Sequence, residues 1–136
     1  MSGLNVTIYN FKRIGDERGE LVALEVFKDI PFEIKRIYYI FNTADRVRRG
    51  FHAHKNLNQI AVTVKGSCKF LLDDGTNTKH VTLDGPNQGL LLNGFLWREM
   101  YDFSEDCVLL VLADQLYDED DYVRNYDEFM KMVKKA

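Results

Sequence analysis

The chain contains little that would complicate its fold: two prolines, two cysteines and one tryptophan in 136 residues. Its longest apolar run, Cys107 to Ala113, is far shorter than the roughly twenty residues a membrane helix needs, so no membrane span is expected. Pro31 and Pro86 are too few for a Pro-rich linker, and no repeat or low-complexity tract divides the sequence. The first ten residues lack the basic-then-apolar pattern of a secretory signal. Without one, Cys68 and Cys107, both in strand-like apolar contexts, read as buried reduced thiols of a cytoplasmic protein rather than as a disulfide. Eighteen basic against 21 acidic side chains leave a net charge of −3, so no broad basic surface for nucleic acid is expected.

What remains is an ordinary globular composition, 46% hydrophobic and 29% charged, which argues against disorder. The length suits one domain over 1–136 with a core that requires no disulfide or metal to stabilise it. Short β-branched and aromatic runs recur between turn residues: Ile37–Phe41, Gln59–Val64, Ser67–Leu72, Lys79–Leu83, Gly89–Leu92 and Cys107–Leu112. Asp73-Asp74-Gly75 reads as a hairpin loop. Such regular spacing predicts a mainly β sandwich or barrel over about 5–115. In the tail, Tyr122, Tyr126, Phe129, Met130 and Val133 recur at helical spacing. They predict a C-terminal helix over about 118–134, with Asp118 as N-cap and Tyr117 stapled to Tyr122.

The informative segment is Arg49-Gly50-Phe51-His52-Ala53-His54-Lys55, followed by Gln59 and Gly66. Strand alternation puts His52 and His54 on one face, where two imidazoles suit metal binding or acid–base chemistry; the plainer alternative is a pair of satisfied core histidines. Lys55 alternates away from them. His80, in a polar stretch, reads as surface, and Trp97 either stacks on a ligand ring or belongs to the core. Tyr38 and Tyr39 point to opposite faces; Tyr38, with Arg36 beside it, is the one expected at the pocket. Arg46, Arg48 and Arg49 form a basic cluster whose guanidinium forks suit phosphate oxygens, although a solvated loop is the bland reading.

Gly50-x-His52-x-His54-x4-Gln59-x6-Gly66 resembles the first motif of the cupin superfamily, small double-stranded β-barrels of jelly-roll type. In metal-binding cupins the Gln59 position is usually Glu, and a third His stands where this chain has Arg98. An amide and a cation are poor company for a divalent metal, so no metal is expected. The resemblance narrows through Leu72-Asp-Asp-Gly75, Trp97-Arg-Glu-Met100, Asp102-Phe-Ser104 and Tyr117-Asp-Glu119 with Asp121-Tyr122. Together with the His motif, these are similar to the WxcM-like sugar 3,4-ketoisomerases, over about Phe11 to Met130.

That resemblance implies an isomerase needing no cofactor, acting on dTDP-4-keto-6-deoxy-D-glucose on the way to 3-amino-3,6-dideoxyhexoses of surface glycans. It implies His54 as the first candidate for the proton shuttle, with His52 as its partner and Tyr38 as a donor. Arg18, Arg36, Arg49, Gln59, Arg98 and Lys55 are the implied substrate-binding residues. Arg98 resembles enzymes giving a gluco product and Arg18 those giving a galacto product, so the configuration stays open. The resemblance further implies a homodimer, with the N-terminal strand exchanged between subunits. The rival readings are a 3,5-epimerase on the same substrate, a non-catalytic nucleotide-sugar-binding cupin and a metal-dependent cupin.

Overall fold

The computed structural model describes residues 3–135. Its strands are β1 (Ile8–Asn10), β2 (Ile14–Asp16), β3 (Gly19–Leu21), β4 (Arg36–Ile40), β5 (Arg49–His54) and β6 (Gln59–Lys65). They continue with β7 (Cys68–Asp73), β8 (Thr78–Leu83), β9 (Gln88–Leu92), β10 (Trp97–Tyr101), β11 (Val108–Ala113) and β12 (Tyr122–Val123). One helix, α1 (Tyr126–Lys135), closes the chain. The strands form two antiparallel five-stranded sheets, ordered β1-β9-β6-β11-β4 and β12-β5-β10-β7-β8, plus the separate hairpin β2-β3. This is the expected mainly β, cupin-type jelly roll.

Period-2 alternation builds the interior. Along β4, Arg36, Tyr38 and Ile40 turn inward while Ile37 and Tyr39 face out. Inward residues of both sheets, among them Phe70, Leu72, Leu83, Leu90, Leu92, Leu109 and Val111, share one apolar cluster. Ile60, Val62 and Leu112 point to the outer side of the first sheet and are covered by Phe11, Ile30 and the 22–34 segment. Cys68 and Cys107 are buried and unbridged.

The hairpin β7-β8 turns at Asp73-Asp74-Gly75 as the sequence predicts. Gly75 adopts φ +94, which glycine tolerates, and its N–H donates to Asp73 Oδ1 at 2.7 Å.

One expectation is corrected. The helix begins at Tyr126 rather than near 118, because residues 118–123 have other partners. Asp118 does cap, but it caps a single 3-10 turn over Glu119–Asp121, and Tyr122 then pairs with His54 as a strand. The ring contact between Tyr117 and Tyr122 is present at 5.6 Å, across that turn rather than across a helix start. Within the single chain, β1 pairs with β9, with Ile8 opposite Leu90.

Trp97 joins the core. It packs with Ala53, Val123 and Phe129 where α1 meets the second sheet, and its indole N–H donates to Glu99 Oε2 at 3.0 Å.

Candidate active site

The site lies on the inner face of β4, β5 and β10, closed on one side by the 117–124 segment. A β-bulge sets it up. His52 lies opposite Arg98 and Gly50 opposite Glu99, which leaves Phe51 as the extra residue. Gly50 takes φ +92 and Phe51 φ +59; a Cβ on Gly50 would come within 2.8 Å of Arg98 O. The bulge keeps Phe51 outward and brings His52 to the same interior as His54, with ring centroids 4.9 Å apart and edge to face.

The two imidazoles occupy different depths. His52, with Arg36, Tyr38, Arg49, Met100, Tyr122 and Arg124, lines a pocket of about 290 Å³. That volume is near the low end of the roughly 300–1,000 Å³ usual for small-molecule sites. His54 is 1% exposed and lies off the pocket wall. The Tyr122 ring stands 4.3 Å from it, and its Nδ1 meets Asp121 Oδ2 at 3.0 Å. The other carboxylate oxygen accepts the Asn56 N–H at 2.7 Å. A carboxylate can only accept, so Nδ1 of His54 carries the hydrogen and Nε2 the lone pair. The sequence leaves open which imidazole faces the ligand; the pocket wall is formed by His52, with His54 behind it.

Both histidines are held neutral. Burial, reinforced by the Arg98 cation, pulls His52 down to about 4, well below the ordinary imidazole value. Burial and then the Arg98 cation lower His54 as well. An imidazole kept unprotonated at neutral pH is in the form a proton acceptor needs. Burial also raises the Tyr38 phenol, which keeps its hydrogen.

Beneath the pocket, a cavity of about 20 Å³ is bordered by Tyr38, His52, Gln59 and Arg98 among apolar side chains. Arg98 is 1% exposed; Nη1 donates to Gln59 Oε1 at 2.7 Å and Nε to Leu96 O at 3.1 Å. Gln59 Nε2 donates to the Tyr38 hydroxyl at 2.9 Å. Arg36 Nε, His52 Nδ1 and Arg98 Nη2 are buried without a well-formed hydrogen bond among the described residues. Arg36 and His52 line the pocket and Arg98 lies behind its wall, so this unused hydrogen-bonding capacity collects on one side of the barrel. No group of three or more His, Cys, Asp or Glu among the described residues is placed to hold a metal ion.

The expected substrate-binding residues divide. Arg36 and Arg49 line the pocket. Gln59 and Arg98 lie behind its wall, on the small cavity. Lys55 points away, as its alternation requires, and donates to Asp120 O. Arg18 is 85% exposed on the β2-β3 hairpin and pairs with Asp16, away from the pocket of its own chain. Neither residue lines the pocket of its own chain, Lys55 because of strand alternation and Arg18 because of its place on a separate hairpin.

The basic cluster also splits. Arg46 and Arg48 border a surface depression of about 360 Å³, where Arg48 bonds Glu99 and lies 4.2 Å over Tyr101. His80 is exposed, as expected, and bonds the Tyr101 hydroxyl. Three residues at the site are not among those expected there: Asp121 and Tyr122, which the sequence places only in the motif string and the C-terminal helix, and Arg124. Arg124 lies 4.0 Å over the Tyr122 ring and forks onto Glu119.

This arrangement of a neutral imidazole, a phenol and arginines can move protons on an anionic polar ligand. Residues 4–134 match the family model described as WxcM-like, C-terminal. The chain belongs to the WxcM-like family. It is similar to the TDP-4-oxo-6-deoxy-alpha-D-glucose-3,4-oxoisomerase of Aneurinibacillus thermoaerophilus, 54% identical over 94% of this chain and 92% of the relative. Its fold is similar to that of a 3,4-ketoisomerase from Helicobacter canadensis, with TM-score 0.92 and 50% identity over 96% of this chain and 98% of that one. A sugar 3,4-ketoisomerase from Thermoanaerobacterium thermosaccharolyticum, solved in complex with TDP, superposes with TM-score 0.93 and 46% identity over 96% of both chains. A mutant of that enzyme is solved in complex with TDP-4-keto-6-deoxyglucose. No helix among the described residues is long and apolar enough to cross a membrane.

Proposed function

We propose that the chain is a sugar-nucleotide 3,4-ketoisomerase that converts TDP-4-keto-6-deoxyglucose to its 3-keto isomer. The observation that carries this reading is His52, a neutral imidazole on the wall of an arginine-lined pocket that it shares with the Tyr38 phenol.

The C4 ketone acidifies the hydrogen on C3. His52 removes that proton, and the electron pair moves into a C3–C4 enediolate with negative charge on O4. Tyr38 stabilises that oxygen by donating to it. A proton then leaves O3 as O4 gains one, and C4 takes up the proton that completes the exchange. The carbonyl now stands at C3 and a hydroxyl at C4, with no net change in atoms or electrons. Arg36, Arg49 and Arg124 supply positive charge at the pocket for the diphosphate. That anion offsets part of the arginine field on His52 and moves its basicity back toward the working range.

The test is proton NMR of TDP-4-keto-6-deoxyglucose in D2O, with a 3-aminotransferase and its amino donor to trap product. A 3-amino sugar bearing deuterium at C4 is expected. C4 coupling constants of the product made in H2O assign the gluco or galacto configuration. Exchange at C3 and C5 without carbonyl migration would identify an epimerase instead. Binding without turnover would leave a sugar-binding cupin.

We further infer that a second copy of the chain completes the molecule. Leu21, Phe27, Ile37, Tyr39 and Phe41 are all more than half exposed, with Phe27 at 76%. So many large apolar groups at a monomer's surface suit burial against a second copy. Light scattering should give about twice the 15.9 kDa chain mass, and a monomer at micromolar concentration would refute the dimer.

A further inference from the structure

Gln59, at the start of β6, is 2% exposed and has no direct access to the pocket, yet it joins two groups that bear on it. Arg98 Nη1 donates to its oxygen and its nitrogen donates to the Tyr38 hydroxyl, at 2.7 and 2.9 Å. The direction of this chain follows from chemistry alone. A guanidinium has donors and no acceptor, so the amide oxygen must face Arg98 and the amide NH2 must face Tyr38. The phenol oxygen therefore accepts, and its own hydrogen has to be given elsewhere. Gln59 is the phenol's sole hydrogen-bond partner among the described residues, and Tyr38 borders both the pocket and the small cavity beside His52. A second bond, from Arg98 Nε to Leu96 O, anchors the guanidinium in place.

We propose that Gln59 is a positioning residue that turns the Tyr38 hydroxyl hydrogen into the pocket, and that Arg98 holds the amide the right way round. The inference rests on the ketoisomerase reading above, and deepens it. It assigns Arg98 to the far side of a relay, although the sequence placed it among the substrate contacts. The relay also polarises the phenol, since a cation at one end of a hydrogen-bonded chain strengthens each donor along it. Burial keeps the Tyr38 hydrogen on its oxygen at neutral pH, so the group is available as a donor throughout the reaction.

Gln59→Glu tests this, because it changes polarity at almost constant shape. A carboxylate still satisfies Arg98, but its second oxygen accepts where the amide donated. The Tyr38 hydrogen is then drawn away from the pocket. Loss of one oxyanion donor typically costs about 10²–10³-fold. The expected result is kcat lowered about 100-fold, with KM and the melting temperature little changed. In the Tyr38→Phe background, Gln59→Glu should cost nothing further, because the group it orients is gone. A Gln59→Glu enzyme with near-normal kcat, or two substitutions whose effects multiply, would overturn the proposal.

Should the carboxylate variant fail to fold, Arg98→Lys is compared with Arg98→Met. The lysine can still donate to the amide oxygen, whereas methionine leaves the amide free to flip. The expected kcat for Arg98→Lys is at least about tenfold the higher; equal values would overturn the proposal. If the wild type itself does not isomerise the substrate, the ketoisomerase reading fails. If it does and the variants behave normally, only the relay fails.

Discussion

Replacing His52 by asparagine should lower kcat by about 10²–10⁴-fold, the usual contribution of a positioned acid–base group, while TDP still binds. Asparagine keeps a polar side chain on the bulged strand but cannot take up a proton. The pocket's other walls, Arg36, Arg49, Tyr122 and Arg124, remain to hold the nucleotide. His54→Asn should cost less. That imidazole is 1% exposed, off the pocket wall, and bound to Asp121, so it acts by supporting His52 and Tyr122. Its loss is expected to reduce kcat about tenfold, in the range of a lost buried hydrogen bond to a charged group. Steady-state kinetics of both variants, with calorimetric TDP titrations, decide the order. If His54→Asn proved the more damaging with binding intact, the proton acceptor would be His54, as the family resemblance implies.

That motif shows where sequence reading succeeds and where it stops. Strand alternation is local, so the inward turn of Tyr38, the outward turn of Tyr39 and the shared face of His52 and His54 could all be read from spacing. Depth along the barrel is not local. Nothing in an H-x-H pattern says which imidazole meets the pocket, because that depends on Tyr122 and Asp121 arriving from almost seventy residues away. The 118–124 segment was hidden for a specific reason. Tyr122 sits four residues before Tyr126 and so extends the true helical stripe of Tyr126, Phe129, Met130 and Val133 by coincidence. Read as helix, Asp121 becomes an ordinary first-turn acid. Paired as a strand with β5, it becomes the partner of His54.

Arg98 and Trp97 depend on depth in a related way. The resemblance implied a ligand contact for Arg98, and the sequence left Trp97 open between stacking and core. Both are buried here, one by the amide of Gln59 and the carbonyl of Leu96, the other by α1. Arg18 raises a different point. Its hairpin is remote from the pocket of its own chain, and the apolar residues around it, Ile14 and Leu21, are exposed. Any contact it makes with a ligand would have to come through a second copy.

Acid should destabilise the folded protein well before its exposed carboxylates titrate. His52 has an ordinary value of 6.5 in the unfolded chain and about 4 in the folded one, chiefly from burial and then from Arg98. Above pH 6.5 both states leave it neutral and its contribution to stability is complete. Between pH 6.5 and about 4 the unfolded chain binds a proton that the folded chain refuses, so stability falls as pH falls. At 1.36 kcal/mol per pKa unit the loss amounts to about 3 kcal/mol, a large share of the roughly 5–15 kcal/mol of a typical domain. Glu119, held down to about 2 by Arg124 and Tyr117, is also lost toward acid, but only from its ordinary 4.5 downward. The two windows are therefore separable. Urea unfolding at fixed protein concentration, from pH 7.5 to 4.5, should show the wild type weakening progressively. His52→Asn removes the titrating group, so its stability should fall by about 2.5 kcal/mol less over the same interval. His54 is retained in that variant and still titrates, which leaves some acid loss in both proteins. Parallel curves for the two would mean that His52 is solvated in the folded state and free to accept a proton from water. Burial and Arg98 would then not be what keeps this imidazole unprotonated, and its basicity would need no adjustment by a bound diphosphate.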